Sequence, residues 1–421
     1  MTGFAMETAY AHLACLTCSW RGAFANRYAC AACGGPLTVA YPPGDRRRDW
    51  VGPEPGLWRY HRLLPVPLDA QPVTLGEGAT PLLPALHLAR EGLLLKNETV
   101  NPTASFKDRP VAVATTVARV LGLAGLICAS TGNTAVAVGA YAARARLPAV
   151  CVVPDAAPPA KLAQIAAVGA RIVRVRGTYS DAYTLAQAGA ERSGWANLTS
   201  TYVNPSMLEG DKTVGYELFE QLGGRAPDWV LVPVGAGPLL AGIDKAFEEL
   251  WALGLLPGGG PRMVAVQAAG CAPIVRAFEA GSAEVAAWEP GVATTASSIA
   301  DPLRGYAADG TRTLAVVRRS GGTAVAVSDA EIHDGMLRLA ASEGLFVEPG
   351  AAAVVAAHRK LEAAGAIRPR DVVVLLLTGH GLKDPQALRL VATTEGIEEE
   401  PVLEPGDVAA LAGFLERQAD G

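Results

Sequence analysis

The sequence predicts an α/β protein built from doubly wound parallel sheets, with a small cysteine-rich module ahead of them. Three observations lead there. Short, continuous, apolar runs recur along the chain: LICA at 126–129, AVCVV at 149–153, RIVRV at 171–175, WVLVP at 229–233, MVAVQ at 263–267 and VVVLLL at 372–377. Strands buried on both faces read this way instead of alternating. Between these runs lie stretches of helical periodicity, from Thr134 to Arg146, from Lys161 to Val168 and from about Asp181 to Arg192, and strand–helix alternation marks βαβ units. Finally, four of the seven cysteines form two CxxC pairs near the amino terminus.

The elements follow in order. Residues 1–40 make the cysteine-rich module: Cys15 and Cys18 precede Cys30 and Cys33, and the second pair runs into Gly34 and Gly35. Each CxxC sets two thiolates on one tight knuckle, and two knuckles close a tetrahedral site. Four sulfur ligands leave no open position, so the expected zinc is structural, with four unligated thiols as the other reading. A Pro- and Arg-rich connector runs from about Tyr41 to Pro67, and the strand and helix signals begin beyond it. No internal repeat is visible. The tail beyond Thr394 is acidic, EGIEEEPVLEPGD, and leaves room for a short amphipathic helix near its end.

Composition narrows the function. The chain has 421 residues, of which 50% are hydrophobic and 18% charged, with a formal net charge of -5, a mean hydropathy of +0.23 and a pI near 5.8. That balance supports a large core in two or three domains and gives no electrostatic footprint for nucleic acid. The apolar runs are too short to cross a bilayer, and MTGFAMETAYAHLACL has no basic stretch followed by an apolar one. Paired CxxC motifs point to a reducing compartment, so a cytoplasmic protein is expected, with neither membrane nor nucleic acid as partner.

The segment with the most chemistry is KNETVNPTASFKDR, residues 96–109. Lys107, one of seven lysines, sits where a polar loop turns into an apolar helix among small residues. A lysine so placed can reach a cofactor and form a Schiff base; a solvated surface charge is the alternative. The loop Ser130-Thr131-Gly132-Asn133 follows one apolar strand and opens a helix, which suits an amino-acid carboxylate or an ordinary cap. Gly235-Ala236-Gly237-Pro238-Leu239 follows another strand, and its glycines allow the backbone to approach a phosphate, although Pro238 removes one donor. Thr378 ends the strand VVVLLLT just before Gly379.

N-P-T-x-S-F-K-D-R resembles the cofactor-lysine motif of the threonine synthases, among the fold-type II pyridoxal phosphate enzymes. The resemblance continues in chain order through LGEGATPL (75–82), ASTGNTAVAVGAYAAR (129–144) and KLAQIAAVGARIVRVRGTYSDA (161–182). It then runs through NPSMLEGDKT (204–213), VPVGAGPLLAGI (232–243), VEPGAAAVVA (347–356) and LTGHGLKD (377–384), so that it covers most of residues 75–385. It implies a fold like that of the tryptophan synthase β chain, with a large cofactor-binding domain (41–120 plus 225–395), a smaller mobile α/β domain (121–224) and a tail (396–421). It also implies pyridoxal 5′-phosphate on Lys107 beside Phe106. Asn133 would meet the phenolic oxygen of the cofactor, Gly235, Ala236, Gly237 and Leu239 its phosphate, and Thr378 its pyridine nitrogen. Ser105, Ser130, Thr131, Gly132, Asn133, Thr134, Met207 and Lys212 would bind a small amino-acid substrate. A homodimer is expected, and the nearest activity is conversion of phosphohomoserine to threonine and phosphate.

The resemblance changes at STYVNPSMLEG, residues 200–210. Thr201 and Tyr202 replace an Asn-Ser pair, and Met207 stands where the family carries an arginine expected to grip the substrate phosphate. Methionine cannot form that charge-assisted fork. Weak capture of a phosphorylated substrate is therefore expected, with Met207 lining a less charged leaving group, unless Arg109, Lys212 or another cation takes over the grip. Ala104 and Pro110 occupy usual glycine positions of the lysine motif. Two other readings remain: a diverged relative, which a missing arginine distances from the phosphoserine-using cysteate synthases as well, and a non-catalytic interaction protein that docks through its zinc module.

Overall fold

The protein is described by a computed structural model covering residues 11–42, 50–88, 91–384, 387, 389 and 408–411. The acidic tail lies outside the described residues except for a helical turn at 408–411.

The chain begins in a three-stranded antiparallel sheet, β1 (His12–Cys15), β2 (Arg21–Ala23) and β3 (Leu37–Ala40), with β1 in the middle. It enters a larger sheet through β4 (Leu82–Pro84) and β5 (Leu93–Asn97). A loop then leads into helix α1 (Asp108–Val120), which carries the chain to a second body. There β6 (Leu126–Ala129), α2 (Asn133–Ala145), β7 (Ala149–Pro154), α3 (Pro159–Ala167), β8 (Arg171–Val175), α4 (Tyr179–Ser193) and β9 (Ala196–Asn197) form a parallel sheet of order β8-β7-β6-β9. The expected strands and helices of this stretch all appear, shifted by one or two residues at their ends. Helix α4 starts where its capping box, Thr178 with Asp181, satisfies the first N–H groups.

Two short helices, α5 (Pro205–Asp211) and α6 (Thr213–Gln221), return the chain to the large sheet. That sheet is completed by β10 (Trp229–Pro233), α7 (Pro238–Ala252), β11 (Arg262–Ala268), α8 (Pro273–Glu279), α9 (Ala307–Arg319), β12 (Thr323–Val327), α10 (Asp329–Glu343), α11 (Pro349–Ala363) and β13 (Val373–Leu377). Its order is β12-β11-β10-β13-β5-β4, parallel except for β4.

Burial explains why the strand sequences are apolar throughout. Val230, Val232, Val374 and Leu376 face one core with α7 and α9, while Leu231, Leu375 and Leu377 face another with α10 and α11. Strands β10 and β13 therefore pack on both sides, whereas the edge strand β8 is largely exposed and carries two arginines. The four loops that leave the carboxyl ends of β5, β6, β10 and β13 carry Lys107, Asn133, Gly235 and Thr378, which is where open α/β sheets bind ligands.

Candidate active site

Lys107 is held by its own loop. Asp108 turns back to accept hydrogen bonds from the Thr103 N–H (2.7 Å) and Oγ1 (2.6 Å). Phe106 N–H donates to Thr378 O (3.0 Å) and His380 N–H to Ala104 O (3.0 Å), so the loop is stitched to the end of β13. Ala104 sits at φ +60, in the left-handed region that favours glycine, which accounts for the residue type expected there.

A cavity of about 300 Å³ opens at this junction, lined by Phe106, Lys107, Ser130, Thr131, Gly132, Asn133, Thr134, Gly235, Ala236, Gly237, Leu239 and Thr378. The structure thus brings most of the sequence-derived candidates to one space. Burial pushes Lys107 down to about 8 against the opposing pull of Asp211, Glu348 and Asp301. Its Nζ lies 4.1 Å from the Phe106 ring centroid and donates to Ser200 Oγ. Asn133 Nδ2 donates to both oxygens of Glu348 at 3.1 Å, and burial raises the Glu348 carboxyl above its ordinary range.

The loop after β10 meets the demands of a bound phosphate. The N–H groups of Gly235, Ala236 and Gly237 make no hydrogen bond among the described residues. Gly237 has φ +102, and a Cβ there would lie 2.3 Å from Thr313 Oγ1, so only glycine fits. The loop carbonyls are fixed from behind: Thr313 Oγ1 donates to Ala236 O (2.5 Å), and Tyr202 OH donates to Gly237 O (3.0 Å). Tyr202, noted in the sequence only as a departure, supports this loop. Three unengaged amides before a helix of fifteen residues form a cradle that the phosphate of pyridoxal phosphate fits, with Lys107 in the same cavity to link to it.

Three expected substrate residues lie elsewhere. Ser105 is fully buried and does not line the cavity. Met207 packs into the apolar core with Val111, Ala135 and Val138, because α5 lies against α1 so closely that a Cβ at Gly210 would meet Arg109 O at 2.3 Å. Lys212 is fully buried at the junction of α5 and α6, where its Nζ bonds to Glu209 (2.6 Å), Glu249 (3.0 Å) and Tyr41 OH (3.1 Å). Arg109 is sequestered too, paired at 2.7 Å with Glu98 and with Glu217. Neither cation is available to a substrate phosphate.

Other cavity residues had not been singled out: Ser200, Asp301, Glu348, Lys161 and Lys383. Four of them fall within or at the edge of quoted motifs, but nothing in the sequence around Asp301 distinguishes it. Burial raises the Asp301 carboxyl, and Tyr306 OH donates to it at 2.6 Å.

Away from the cavity, the four sulfurs of Cys15, Cys18, Cys30 and Cys33 lie within 4.8 Å of one another. Cys15–Cys33 and Cys18–Cys30 are 3.5 and 3.7 Å apart. A tetrahedron with Zn–S bonds of about 2.3 Å has edges of about 3.8 Å. The module docks through Lys245 Nζ, which donates to Val39 O (2.7 Å) and pairs with Glu209.

The family described as "Pyridoxal-phosphate dependent enzyme" matches residues 73–379. The threonine synthase of Methanosarcina acetivorans is 38% identical over 413 residues, covering 95% of this chain and 97% of that protein. That of Halalkalibacterium halodurans is 36% identical, covering 85% and 96%. Among solved structures, the processed threonine deaminase isoform 2 of Solanum lycopersicum matches with a TM-score of 0.63 at 23% identity, over 76% of this chain and 88% of that one. Maize serine racemase matches with a TM-score of 0.61 at 22% identity, over 74% and 91%. These two likenesses speak to the fold, which is that of the fold-type II enzymes. Among the described residues, no helix is long and apolar enough to cross a membrane.

Proposed function

The chain belongs to the pyridoxal-phosphate dependent enzymes, in the family of the threonine synthases, and from that membership we propose that it converts phosphohomoserine and water to threonine and phosphate as a carbon–oxygen lyase. The observation that carries the reading is the single cavity in which Lys107, the STGN loop and the unengaged amides of residues 235–237 meet.

Pyridoxal phosphate, when bound, supplies an electron sink conjugated to the substrate Cα. The chain supplies the rest. Gly235, Ala236 and Gly237 would donate N–H groups to the cofactor phosphate, and Thr378 would offer a neutral hydroxyl to the pyridine nitrogen. The first turn of α2 with Ser130 and Thr131 receives the substrate carboxylate. Lys107 would hold the cofactor between turnovers; its free amine would take a proton from Cα and then one from Cβ, and would return the two at Cγ and Cα. Burial suits it to that work, because an amine lowered to about 8 is partly neutral near physiological pH. Breaking the Cγ–O bond releases phosphate, and water adds at Cβ. The body around the four-stranded sheet, residues 121–224, closes over the substrate in this scheme.

The expectation that Met207 redirects the enzyme to an unphosphorylated substrate is not favoured. Its side chain is turned into the core, so its identity does not set what the cavity accepts, and threonine synthases match over nearly the full length. A non-catalytic interaction protein is not favoured on the same grounds. Incubation with phosphohomoserine should yield threonine and phosphate in equal amounts, and homoserine or no product would sink the reading.

The cysteine cluster supports a structural zinc. Metal analysis of the purified protein should find about one zinc per chain. Chelation should expose residues 11–40 to proteolysis well before it lowers the turnover rate. Four freely titrating thiols in metal-free, protease-resistant protein would contradict the zinc assignment.

A further inference from the structure

A substrate phosphate carries close to two negative charges near neutral pH, and a cation beside amide or hydroxyl donors strengthens its capture through charge-assisted hydrogen bonds. The cations that the sequence offered, Arg109 and Lys212, are locked in buried ion pairs. Among the described residues the cavity has three cationic side chains, Lys107, Lys161 and Lys383. Lys107 is committed to the cofactor. Lys383 donates to Thr103 O at 2.5 Å and faces the carboxyls of Glu348 and Asp108. Moving it would leave buried charge unpaired.

Lys161 is different. It stands on α3, partly exposed at the cavity wall, and its Nζ donates to one neutral group, Ser297 Oγ, at 2.8 Å. Ser297 belongs to the body of the large sheet, so this bond spans the space between the two bodies. Gln164, one turn along the same helix face, makes a parallel crossing: its Nε2 donates to Lys383 O at 3.0 Å. Two crossings from one short helix fix Lys161 over the cavity. Exchanging Ser297 Oγ for a phosphate oxygen would strand no charge on Lys161, and the Ser297 hydroxyl, which makes only a long bond to Asp384 Oδ2 (3.5 Å), would turn to donate to the same phosphate.

We propose that Lys161, with Ser297 beside it, is the grip for the substrate phosphate, the role left open by methionine at 207. This rests on the reading of the substrate as a phosphorylated amino acid. Binding of phosphohomoserine and of L-homoserine to the holoenzyme can be followed by titrating the visible absorbance of the cofactor, and steady-state kinetics can be run alongside. In Lys161→Gln, affinity for phosphohomoserine should fall about tenfold to a hundredfold, as loss of one hydrogen bond to a charged group implies, with affinity for L-homoserine within twofold of wild type. KM should rise while kcat stays within about threefold, and Lys161→Arg should recover most of the loss. Inorganic phosphate should compete with phosphohomoserine in wild type and lose at least about tenfold in potency in Lys161→Gln. Equal phosphohomoserine affinity in wild type and Lys161→Gln would overturn the proposal while leaving threonine synthesis intact. Binding that depends on Lys161 without threonine formation would sustain it and overturn the proposed reaction instead.

Discussion

Replacing Lys107 by alanine is expected to abolish turnover and to remove the visible absorbance of the bound cofactor. General base catalysis alone contributes about 10²–10⁴-fold, and the same side chain anchors the cofactor, so a loss of about 10⁴-fold or more is expected. Lys107 caps the start of α1, but the loop is held by Asp108, Phe106 and Ala104 instead of the lysine. The variant should therefore keep the circular dichroism of wild type. Borohydride reduction of wild type followed by peptide mapping should place the label on Lys107. A label on another of the seven lysines, or visible absorbance retained in Lys107→Ala, would show that the link lies elsewhere.

The largest effect on stability is expected at Arg109. Its guanidinium is fully buried and bonds to Glu98 through Nε and Nη2 and to Glu217 through Nη1 and Nη2, with Thr80 Oγ1 and Thr213 Oγ1 at 3.1 Å. Lys96 completes the cluster at 2.7 Å from Glu217. Arg109→Met leaves two buried carboxylates undercompensated, which costs about 3–5 kcal/mol, whereas Arg359→Ala at an exposed pair should cost under about 1 kcal/mol. Burial by itself would raise Glu217, but Arg109 and Lys96 outweigh it and hold the carboxyl at about 2, below its ordinary 4.5. The stability this contributes is complete above pH 4.5 and is lost as pH falls toward 2. Arg109→Met should therefore unfold at a higher pH on acidification and at a lower denaturant concentration at neutral pH. A destabilisation below about 1 kcal/mol would mean that the cluster contributes little.

Much of the fold could be read from the chain because buried parallel strands are written as unbroken apolar runs. The exceptions have physical reasons. Strand β5 reads LLLKN, and its lysine looks like a surface residue until Glu217 and Gln221 are found around it. Strand β12, TAVAV, lacks large side chains, and β9 has only two residues. The site was legible where a motif sits on a strand end, since the loop leaving it can only face the cavity; Lys107, Asn133, Gly235 and Thr378 are all of this kind. Met207 and Lys212 lie away from the cavity because α5 and the residue that follows it are buried on every side: all seven residues of α5 are buried, as is Lys212. Motif spacing gives their positions along the chain, but with no exposed face the periodicity carries no direction. Asp301 was missed because its place in the cavity depends on packing against Gly235, which comes from a distant part of the sequence, and no local pattern marks its bond with Tyr306 five residues on.

The proposed chemistry breaks the bond between Cγ and the bridging oxygen and takes the new hydroxyl from water. Running the reaction with phosphohomoserine in ¹⁸O-labelled water and analysing both products by mass spectrometry tests this directly. Threonine carrying one ¹⁸O at its hydroxyl, with phosphate released unlabelled, is the expected result. Labelled phosphate accompanied by homoserine would mean attack at phosphorus, and would contradict the assignment of this cavity to carbon–oxygen elimination.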